Sequence, residues 1–538
     1  GEVRGDLTSI TSVASSDLRD VALFQIGDNN QYNVPRDYYA VINNCNYFIE
    51  HVDTALKNNR NEYIFMKEYA AVKAIRAWTY LQLVLNYGRV PFVTKPILTK
   101  QEAEISYPSY DLESVCEYFI NDLQPLAERY GREYPGYGTI RGNDSRFLWF
   151  PINIVLGDLY LWQASASGNI EQYKMAAERY YKYISERNGQ NSTYPVGINM
   201  LTWTPGNTTW LNITGWGDLD ISENYMSNGE LITIIPCDST RSEGNYSELR
   251  NLFNSTEENN YKYSLTPSLR EQELSESQAH CCVGTDGTSV IYSPRGLSLH
   301  RSGDLRLFNF WSEGYAYDKA TGERIETQRI GKYNTRNVHI YRKMMVYLRM
   351  AEALNMAGYP RMAFQILSQG LNNNVIANDV CPYYNDDDAT WLLTFDFPNS
   401  RYGIFTAEAL VNNRATNTMN TIGIHTRGSG FTPLNEYYQF PDSIEVDGQK
   451  QPVPLATQQE YVSQLLLDEE ALEFAFEGTR FYDVMRFALR SSNPGEFMGN
   501  VISARGGSNN VAEDIRSKLR NQDNWYLKWN GKIGPDFK

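Results

Sequence analysis

Residues 465–490 read LLLDEEALEFAFEGTRFYDVMRFALR, and this segment carries most of the information about the fold. It begins with carboxylates at helical spacing and ends with arginines. Glu469, Glu473 and Glu477 are spaced four residues apart, so on a helix they form one acidic stripe. Like charges at this spacing repel each other, and the stripe is tolerable only where cations face it.

The required cations follow in the same segment. Arg480 stands three residues after Glu477, Asp483 three after Arg480, and Arg486 three after Asp483. This alternation predicts a self-neutralising ladder rather than a catalytic pair of carboxylates. We interpret it as a structural charge network that ties helices together, with a partner from an earlier helix, and we assign to it Arg76, Glu473, Glu477, Arg480, Asp483 and Arg486.

Three other segments, residues 61–92, 150–187 and 339–373, carry helical periodicity. The second and third each read as helix, short break, helix, with breaks at residues 165–169 and 357–360. Two helices joined by a tight turn are typical of tetratricopeptide-like repeats, and plain helical hairpins are the alternative. The predicted fold class is mainly α: a tetratricopeptide-like helix-pair frame with a large irregular loop-rich insertion carrying short strands.

The periodicity fades in two regions, and this divides the chain into five parts. Residues 1–187 are an N-terminal loop and helical frame, and residues 188–337 are an irregular, loop-rich insertion predicted to bind ligand. Residues 338–371 continue the frame, residues 372–454 form a second irregular insertion, and residues 455–538 are a C-terminal helical segment and tail. Long loops in a large chain are often functional.

Composition excludes several classes of function. The net charge of −15 argues against nucleic acid as a partner, because phosphate binding needs a basic face. No GxSxG, HExxH or GxxxxGK[ST] motif occurs, so no cofactor, metal or catalytic residue is predicted. The six cysteines are too sparse for a disulfide scaffold. The acidic run in residues 384–390 lacks the glycine and distal glutamate of a calcium-binding EF-hand loop.

Three motifs together resemble the SusD/RagB family. KEYAAVKAIRAWTYLQLVLNYGRVPFV at residues 67–93 is similar to its N-terminal signature, and YLRMAEALNMAG at residues 347–358 to another landmark. Residues 465–487 resemble its C-terminal signature, with two departures: Glu470 stands where Arg is common and Thr479 where His is common.

The resemblance implies a cell-surface, outer-membrane lipoprotein that binds an oligo- or polysaccharide without cleaving it. Such a protein delivers the glycan to a partner TonB-dependent outer-membrane transporter. The family frame has four tetratricopeptide-like units and an irregular domain that carries the ligand site. The lipidated cysteine that would attach the protein to the membrane is absent from this chain, and we expect it in a segment before Gly1.

Sugar rings stack on aromatic side chains, and amide or charged groups bind their hydroxyls. The chain has 39 Tyr and 10 Trp, which suits this kind of recognition. The family site also uses an N-terminal loop, here QIGDNNQYN at residues 25–33. The candidate glycan contacts are Trp311, Tyr315, Tyr292, Trp216, Trp210 and Trp203 in the central insertion and Asp28, Asn30 and Tyr32 in the N-terminal loop.

Two other functions remain open at this point. A glycoside hydrolase needs only two carboxylates across the scissile bond, and a sequence rarely reveals them. A helix-repeat scaffold would bind protein or peptide partners on its concave surface.

Overall fold

The computed structural model describes residues 1–187, 337–368, 370–397, 438–446 and 448–533, with shorter pieces between residues 202 and 332 and between 423 and 428. Within them the fold is mainly helical, which confirms the predicted class.

Seventeen α-helices lie in the described residues. They are α1 Ser16–Ala22, α2 Pro35–His51, α3 Met66–Tyr87, α4 Lys100–Ala103, α5 Leu112–Tyr130, α6 Ile152–Ser167, α7 Ile170–Arg187, α8 Leu249–Phe253, α9 Leu269–Glu276, α10 Lys343–Met356, α11 Pro360–Ser368, α12 Asn373–Val375, α13 Asp386–Leu392, α14 Leu455–Glu473, α15 Arg480–Leu489, α16 Pro494–Ser503 and α17 Asn509–Leu519.

Short strands form eight antiparallel pairs in the described residues. They are β1 Thr8–Ile10, β2 Val90–Pro91, β3 Ser109–Tyr110, β4 Thr139–Ile140, β5 Asn143–Asp144, β6 Thr202–Pro205, β7 Leu211–Thr214, β8 Leu231–Ile235, β9 Leu265–Pro267, β10 His280–Val283, β11 Val290–Ser293, β12 Trp311–Tyr317, β13 Arg324–Ile330, β14 Val338–Arg342, β15 Ser443–Val446 and β16 Gln449–Pro452.

The helices pack in an unbroken series. α2 packs on α3, α3 on α5, α5 on α6 and α6 on α7, and α10 then packs on both α7 and α14. One core of buried apolar side chains runs through all of these helices. α6 is buried on nearly every face because its sequence is apolar all round, so it occupies the middle of the stack.

The turns inside the helix pairs lie where the sequence predicts them. α6 ends at Gly168, whose φ of 72° is the left-handed conformation that glycine adopts without strain. The break between α10 and α11 contains Gly358 with a φ of 101°. Within α6, Gly157 lies against Tyr180 of α7, and a Cβ atom there would come within 2.5 Å of the tyrosine ring. A small residue is therefore required where these two helices touch.

Strands join the central insertion to the helical frame. β9 pairs with β1 near the N-terminus, and β8 pairs with β14, which leads directly into α10. The pairs β6–β7, β10–β11 and β12–β13 are local hairpins. Two of the strand pairs in the described residues thus join the insertion to the frame.

The second irregular insertion is more helical at its start than the sequence prediction assumed. Residues 373–392 contain α12, a π-helical turn at Ile376–Val380, a 3₁₀ turn at Cys381–Tyr383 and α13. The acidic run forms the first turn of α13, capped by Asn385. Carboxylates there complement the positive end of the helix dipole, which accounts for their clustering without a bound cation.

Candidate functional site

The C-terminal motif forms two helices and not one. α14 ends at Glu473, and the chain then turns through Phe476 and Gly478, with φ values of 68° and 88°, before α15 begins at Arg480. Glu477 therefore lies in the connection and not on the predicted continuous stripe. The helical periodicity that the glutamate spacing implied ends before Glu477, where the helix stops at Glu473 and Phe476 takes a positive φ.

The glutamates of this motif bind cations from distant segments. Glu473 accepts hydrogen bonds from Arg306 at 2.7 Å and Arg342 at 2.8 Å. Glu477 pairs with Lys332 and, at 2.8 Å, with Arg342. Burial alone would raise the pKa of the Glu477 carboxyl, but the charges of Arg342 and Lys332 outweigh it and hold that pKa below its usual value.

The arginines of the motif also find partners outside the predicted ladder. Arg480 forms a bidentate pair with Asp6, with its Nε 2.6 Å from Oδ1 and its Nη2 2.9 Å from Oδ2. Arg486 donates to Glu352 at 2.7 Å and to Asp483 at 3.0 Å. The Asp483–Arg486 contact is the one step of the predicted ladder that the structure contains.

Arg76 lies elsewhere. Its guanidinium donates to Asn46 at 2.9 Å and to Asp122 at 3.2 Å, between α2, α3 and α5. The sequence indicates that Arg76 needs an acidic partner. Because α3 packs on α5, that partner is Asp122 and not one of the C-terminal glutamates.

We call these buried groups the ion-pair cluster. Its members are Asp6, Asp304, Arg306, Lys332, Arg342, Glu352, Glu469, Glu473, Glu477, Arg480, Asp483 and Arg486. Glu473 and Arg306 are 0% exposed, so no substrate can reach them in this fold. Paired charges without solvent access are a structural feature and not a catalytic centre.

Glu470, one of the two departures from the family signature, lies against this cluster. It is 3.5 Å from Arg486 and fully buried. Burial, and after it the nearby carboxylates of Asp483 and Glu352, raise the pKa of the Glu470 carboxyl well above its usual value.

The six aromatic candidates of the central insertion are placed only in part. Trp203, Tyr292, Trp311 and Tyr315 lie on β6, β11 and β12, and their backbones pair with Ile213, Cys281, Ile330 and Glu326 respectively. Their side chains, and Trp210 and Trp216 altogether, lie outside the described residues. Their role as glycan contacts stays a prediction.

A cleft of about 520 Å³ opens where the N-terminal loop meets the C-terminal segment. We call it the terminal cleft. One wall runs from Asp28 to Arg36, and the other comprises Lys528, Trp529, Asn530 and Lys532. Its volume falls within the roughly 300–1,000 Å³ typical of small-molecule sites.

Asn33 holds the two walls together. Its side-chain amide donates to the Lys528 carbonyl at 2.8 Å, and its Oδ1 accepts from the Tyr87 hydroxyl at 2.9 Å. The Leu527 N–H donates to the Asn86 carbonyl at 2.7 Å, which ties the same wall to α3. The cleft is therefore shaped in advance by hydrogen bonds to the helical frame.

Trp529 provides an aromatic surface in the terminal cleft. Its ring packs against Tyr39 and Tyr87, with centroid distances of 5.6 Å and 5.5 Å, and it is half-buried. The indole N–H donates to the Lys532 carbonyl at 3.0 Å. These contacts fix the ring orientation before any ligand arrives.

The three candidates of the N-terminal loop have different surroundings. Asp28 is exposed and lines the cleft. Asn30 also lines it, but its amide donates to the Asp17 carbonyl and its oxygen accepts from the Tyr32 N–H, so it shapes the loop. Tyr32 packs against a second core of buried apolar side chains, separate from the core that runs through the helix series. Burial, together with the charge of Glu248, raises the pKa of the Tyr32 hydroxyl.

Sequence reasoning missed Lys528, Trp529 and Arg36 as cleft residues. The signal was present in KWNGK at residues 528–532, which combines an aromatic with polar groups as the N-terminal loop does. Its position near the end of the chain concealed its proximity to that loop.

Other classes of site receive no support from the described residues. No group of histidine, cysteine and acidic side chains there could hold a metal ion. Cys45, Cys116, Cys237 and Cys381 are free thiols. None of the helices in the described ranges combines the length and apolar character that crossing a bilayer requires.

Comparison with known proteins extends these observations. The SusD family model matches residues 407–529, which include the C-terminal motif. No curated protein matches. The fold resembles a SusD superfamily protein from Bacteroides vulgatus, with 12% identity, a TM-score of 0.54, and coverage of 96% of this chain and 86% of that one.

Two Bacteroides fragilis structures are similar to a comparable degree. A SusD-like carbohydrate-binding protein has 13% identity and a TM-score of 0.51, covering 92% of this chain and 85% of that one. NanU has 15% identity and a TM-score of 0.51, covering 94% and 86%. At these identities the structures establish a shared fold, while the family match covers the diagnostic C-terminal motif. The chain is thus similar in fold to SusD superfamily proteins, and the SusD family model matches the part of it that carries the C-terminal motif.

Proposed function

We propose that this protein captures an oligo- or polysaccharide at the cell surface and passes it, without catalysis, to a partner TonB-dependent outer-membrane transporter. The observation that carries the glycan part is the terminal cleft, in which a preorganised Trp529 ring lies beside a loop rich in amides. One protein with a similar fold is itself described as a SusD-like carbohydrate-binding protein.

The chemistry of the cleft suits a sugar. A pyranose presents a C–H face that packs on an indole ring and hydroxyls that need hydrogen-bond partners. Trp529 offers the ring, and Asn29, Gln31 and Asn530 are exposed amides along the same cleft. Because Asn33 fixes the two walls, little ordering is required on binding, which favours affinity.

Binding without hydrolysis is supported by the acids of the cleft. A glycosidase needs two carboxylates about 5–10 Å apart across the scissile bond. Among the described residues that line the terminal cleft, Asp28 is the single carboxylate. Glu469, Glu473 and Asp483 of the C-terminal motif are buried in the ion-pair cluster and out of reach.

The transporter partner and the lipid anchor are part of the proposal through the family assignment. This protein would cover the transporter and pass the glycan to it. An N-terminal lipid would hold the protein at the outer membrane. Co-purification of a TonB-dependent transporter with the lipidated protein from bacterial outer membranes tests both statements.

Titration of purified protein against glycans from an array tests the capture step. We expect Trp529→Ala to weaken binding of any array hit by about tenfold or more, as for other buried aromatic anchors. Trp529→Phe keeps a flat apolar ring and should retain most of the affinity. That result would show that the alanine variant loses affinity because the sugar has no ring to pack against. Trp311→Ala tests the central aromatic candidate in the same assay.

Tyr137→Ala is the matched control, because Tyr137 is an exposed aromatic outside the cleft. Thermal melting of each variant separates lost binding from lost folding. Unchanged affinity in both tryptophan variants would contradict the proposed sites. Release of reducing sugar by the purified protein would favour the hydrolase, and an empty array beside tight binding to protein partners would favour the scaffold.

A further inference from the structure

One face of α2 continues from the terminal cleft along the surface of the protein. Side chains three or four residues apart lie on the same face of a helix, so a single row runs the length of α2. From its first to its fourth member the row is about 16 Å long, at a rise of about 1.5 Å per residue. Asn43 is half-buried and the other members are exposed. We call it the α2 row, and its members are Arg36, Ala40, Asn43, Tyr47 and His51.

The α2 row begins inside the terminal cleft. Arg36 is one of the residues that line the cleft. Tyr39, in the same turn of α2, packs against Trp529 with a distance of 5.6 Å between the ring centroids. A sugar chain that extends from the Trp529 ring in this direction therefore meets the α2 row.

A second aromatic ring of fixed orientation lies at the other end of the row. The rings of Tyr47 and His51 stack, with their centroids 4.2 Å apart and their planes inclined by 25°. His51 Nδ1 donates to the Tyr47 carbonyl at 2.7 Å, which holds the imidazole in place. Although His51 covers one face of the Tyr47 ring, Tyr47 is 49% exposed, so its other face is open to solvent. Such an open ring face can pack on the C–H face of a sugar.

The open face of Tyr47 is turned towards the terminal cleft. His51 follows Tyr47 by one helical turn, so it covers the ring face that is directed towards the end of α2. Asn43 lies one turn earlier, and its amide exchanges two hydrogen bonds with the backbone of Ile97, at 2.6 Å and 2.9 Å. Ala40, a further turn back, has no side chain beyond its Cβ atom. The row between the two aromatic rings is therefore low and already held in shape.

From these features we infer that the glycan site continues from the terminal cleft along α2, and that Tyr47 is a second sugar subsite that selects extended chains over mono- and disaccharides. The inference rests on the proposed function and names its substrate class. Trp529 takes one sugar ring, the chain passes over Ala40, and a later sugar packs on the open face of Tyr47. Because both contacts belong to one ligand, the second forms intramolecularly and raises the affinity of long chains alone.

Oligosaccharides of two lengths test this inference by isothermal titration. Both are prepared by partial hydrolysis of the polysaccharide that gives the strongest signal on the glycan array. A disaccharide is short enough for the terminal cleft, with its volume of about 520 Å³, whereas an octasaccharide extends beyond it. We expect the octasaccharide to bind the unmodified protein more tightly than the disaccharide does. Tyr47→Ala should weaken octasaccharide binding by roughly two- to tenfold, the range for one aromatic contact, and leave disaccharide binding unaffected.

Two further variants serve as controls. Tyr47→Phe keeps the ring and should bind the octasaccharide as tightly as the unmodified protein, and a loss equal to that of Tyr47→Ala would contradict packing on the ring. Tyr383→Ala removes another exposed tyrosine, 61% exposed in the 3₁₀ turn before α13, and should change neither affinity. Thermal melting of each variant verifies that it folds.

The failure of this inference can be told apart from the failure of the proposed function. If Tyr47→Ala binds the octasaccharide as tightly as the unmodified protein while Trp529→Ala loses it, the second subsite is overturned and glycan capture stands. If no glycan on the array binds at all, glycan capture itself fails, and the second subsite fails with it.

Discussion

The ion-pair cluster and the terminal cleft are both rich in charged groups, but their surroundings differ. In the cluster, Glu473 is shared by Arg306 and Arg342 with no access to solvent. In the cleft, Lys528 and Asp28 are exposed, and rigid walls hold them around an open volume. Charge that is neutralised and buried holds the chain together, whereas charge that is held in place but open to solvent can bind a ligand.

The largest effect is expected from breaking a pair in the cluster. Arg480→Met leaves the Asp6 carboxylate buried without its cation, which should cost about 3–5 kcal/mol of unfolding free energy. Arg89→Met, which breaks the exposed pair with Asp111, should cost less than about 1 kcal/mol. Urea unfolding of both variants makes the comparison.

The double variant Asp6→Leu/Arg480→Met should recover part of the lost stability, because no unpaired charge remains buried. A loss in Arg480→Met no greater than in Arg89→Met would contradict the structural role of the cluster.

A smaller effect is expected from Glu271, a buried acid beside the cluster with no cation in contact. Burial raises the pKa of its carboxyl to about 8, with a further contribution from Asp304, although a hydrogen bond from Ser275 opposes the shift. The folded state therefore holds the proton more tightly than the unfolded state. Stability is fully present below the ordinary pKa near 4.5 and is lost as pH rises through about 8.

Glu271→Gln should flatten this dependence. Between pH 5 and pH 8.5 we expect the unmodified protein to lose roughly 4 kcal/mol more than the variant, measured by urea unfolding across that range. The same slope in both proteins would show that Glu271 is not the titrating group.

The smallest effect on stability is expected in the cleft. Asn33→Ala removes the hydrogen bonds to Lys528 and Tyr87, at a cost of about 1–2 kcal/mol. The variant should still fold, because this loss of stability is modest. Its glycan affinity should nevertheless fall, because the two walls of the cleft are no longer joined. Asn44→Ala, which changes an exposed asparagine of α2 outside the cleft, serves as the control. An Asn33→Ala variant with full affinity would show that the walls need no such connection.

The helical frame was predictable because its signals are local. The apolar periodicity of residues 150–187 and 339–373, with glycine at each break, specifies two helix pairs without reference to the rest of the chain. The resemblance of residues 465–487 to the SusD/RagB signature was readable for the same reason, and the SusD family model matches this part of the chain. The interpretation of its carboxylates as structural also followed from the arginines beside them.

The pairing of those charges was not predictable in detail. Spacing along the motif indicated a ladder from Glu477 to Arg480, yet Arg480 meets Asp6 across 474 residues of chain. The prediction failed because Gly478 turns the chain between α14 and α15, so residues three apart in sequence no longer share a helix face.

By itself, the sequence determined the helix pairs and the need of each buried carboxylate for a cation, since both depend on spacings of a few residues. Tertiary structure alone decided which cation each carboxylate meets and where the terminal cleft lies. Asn33 and Lys528 join the walls of that cleft from positions 495 residues apart. Contacts over such distances depend on how helices pack, and helix packing leaves no local pattern from which the partner could be named.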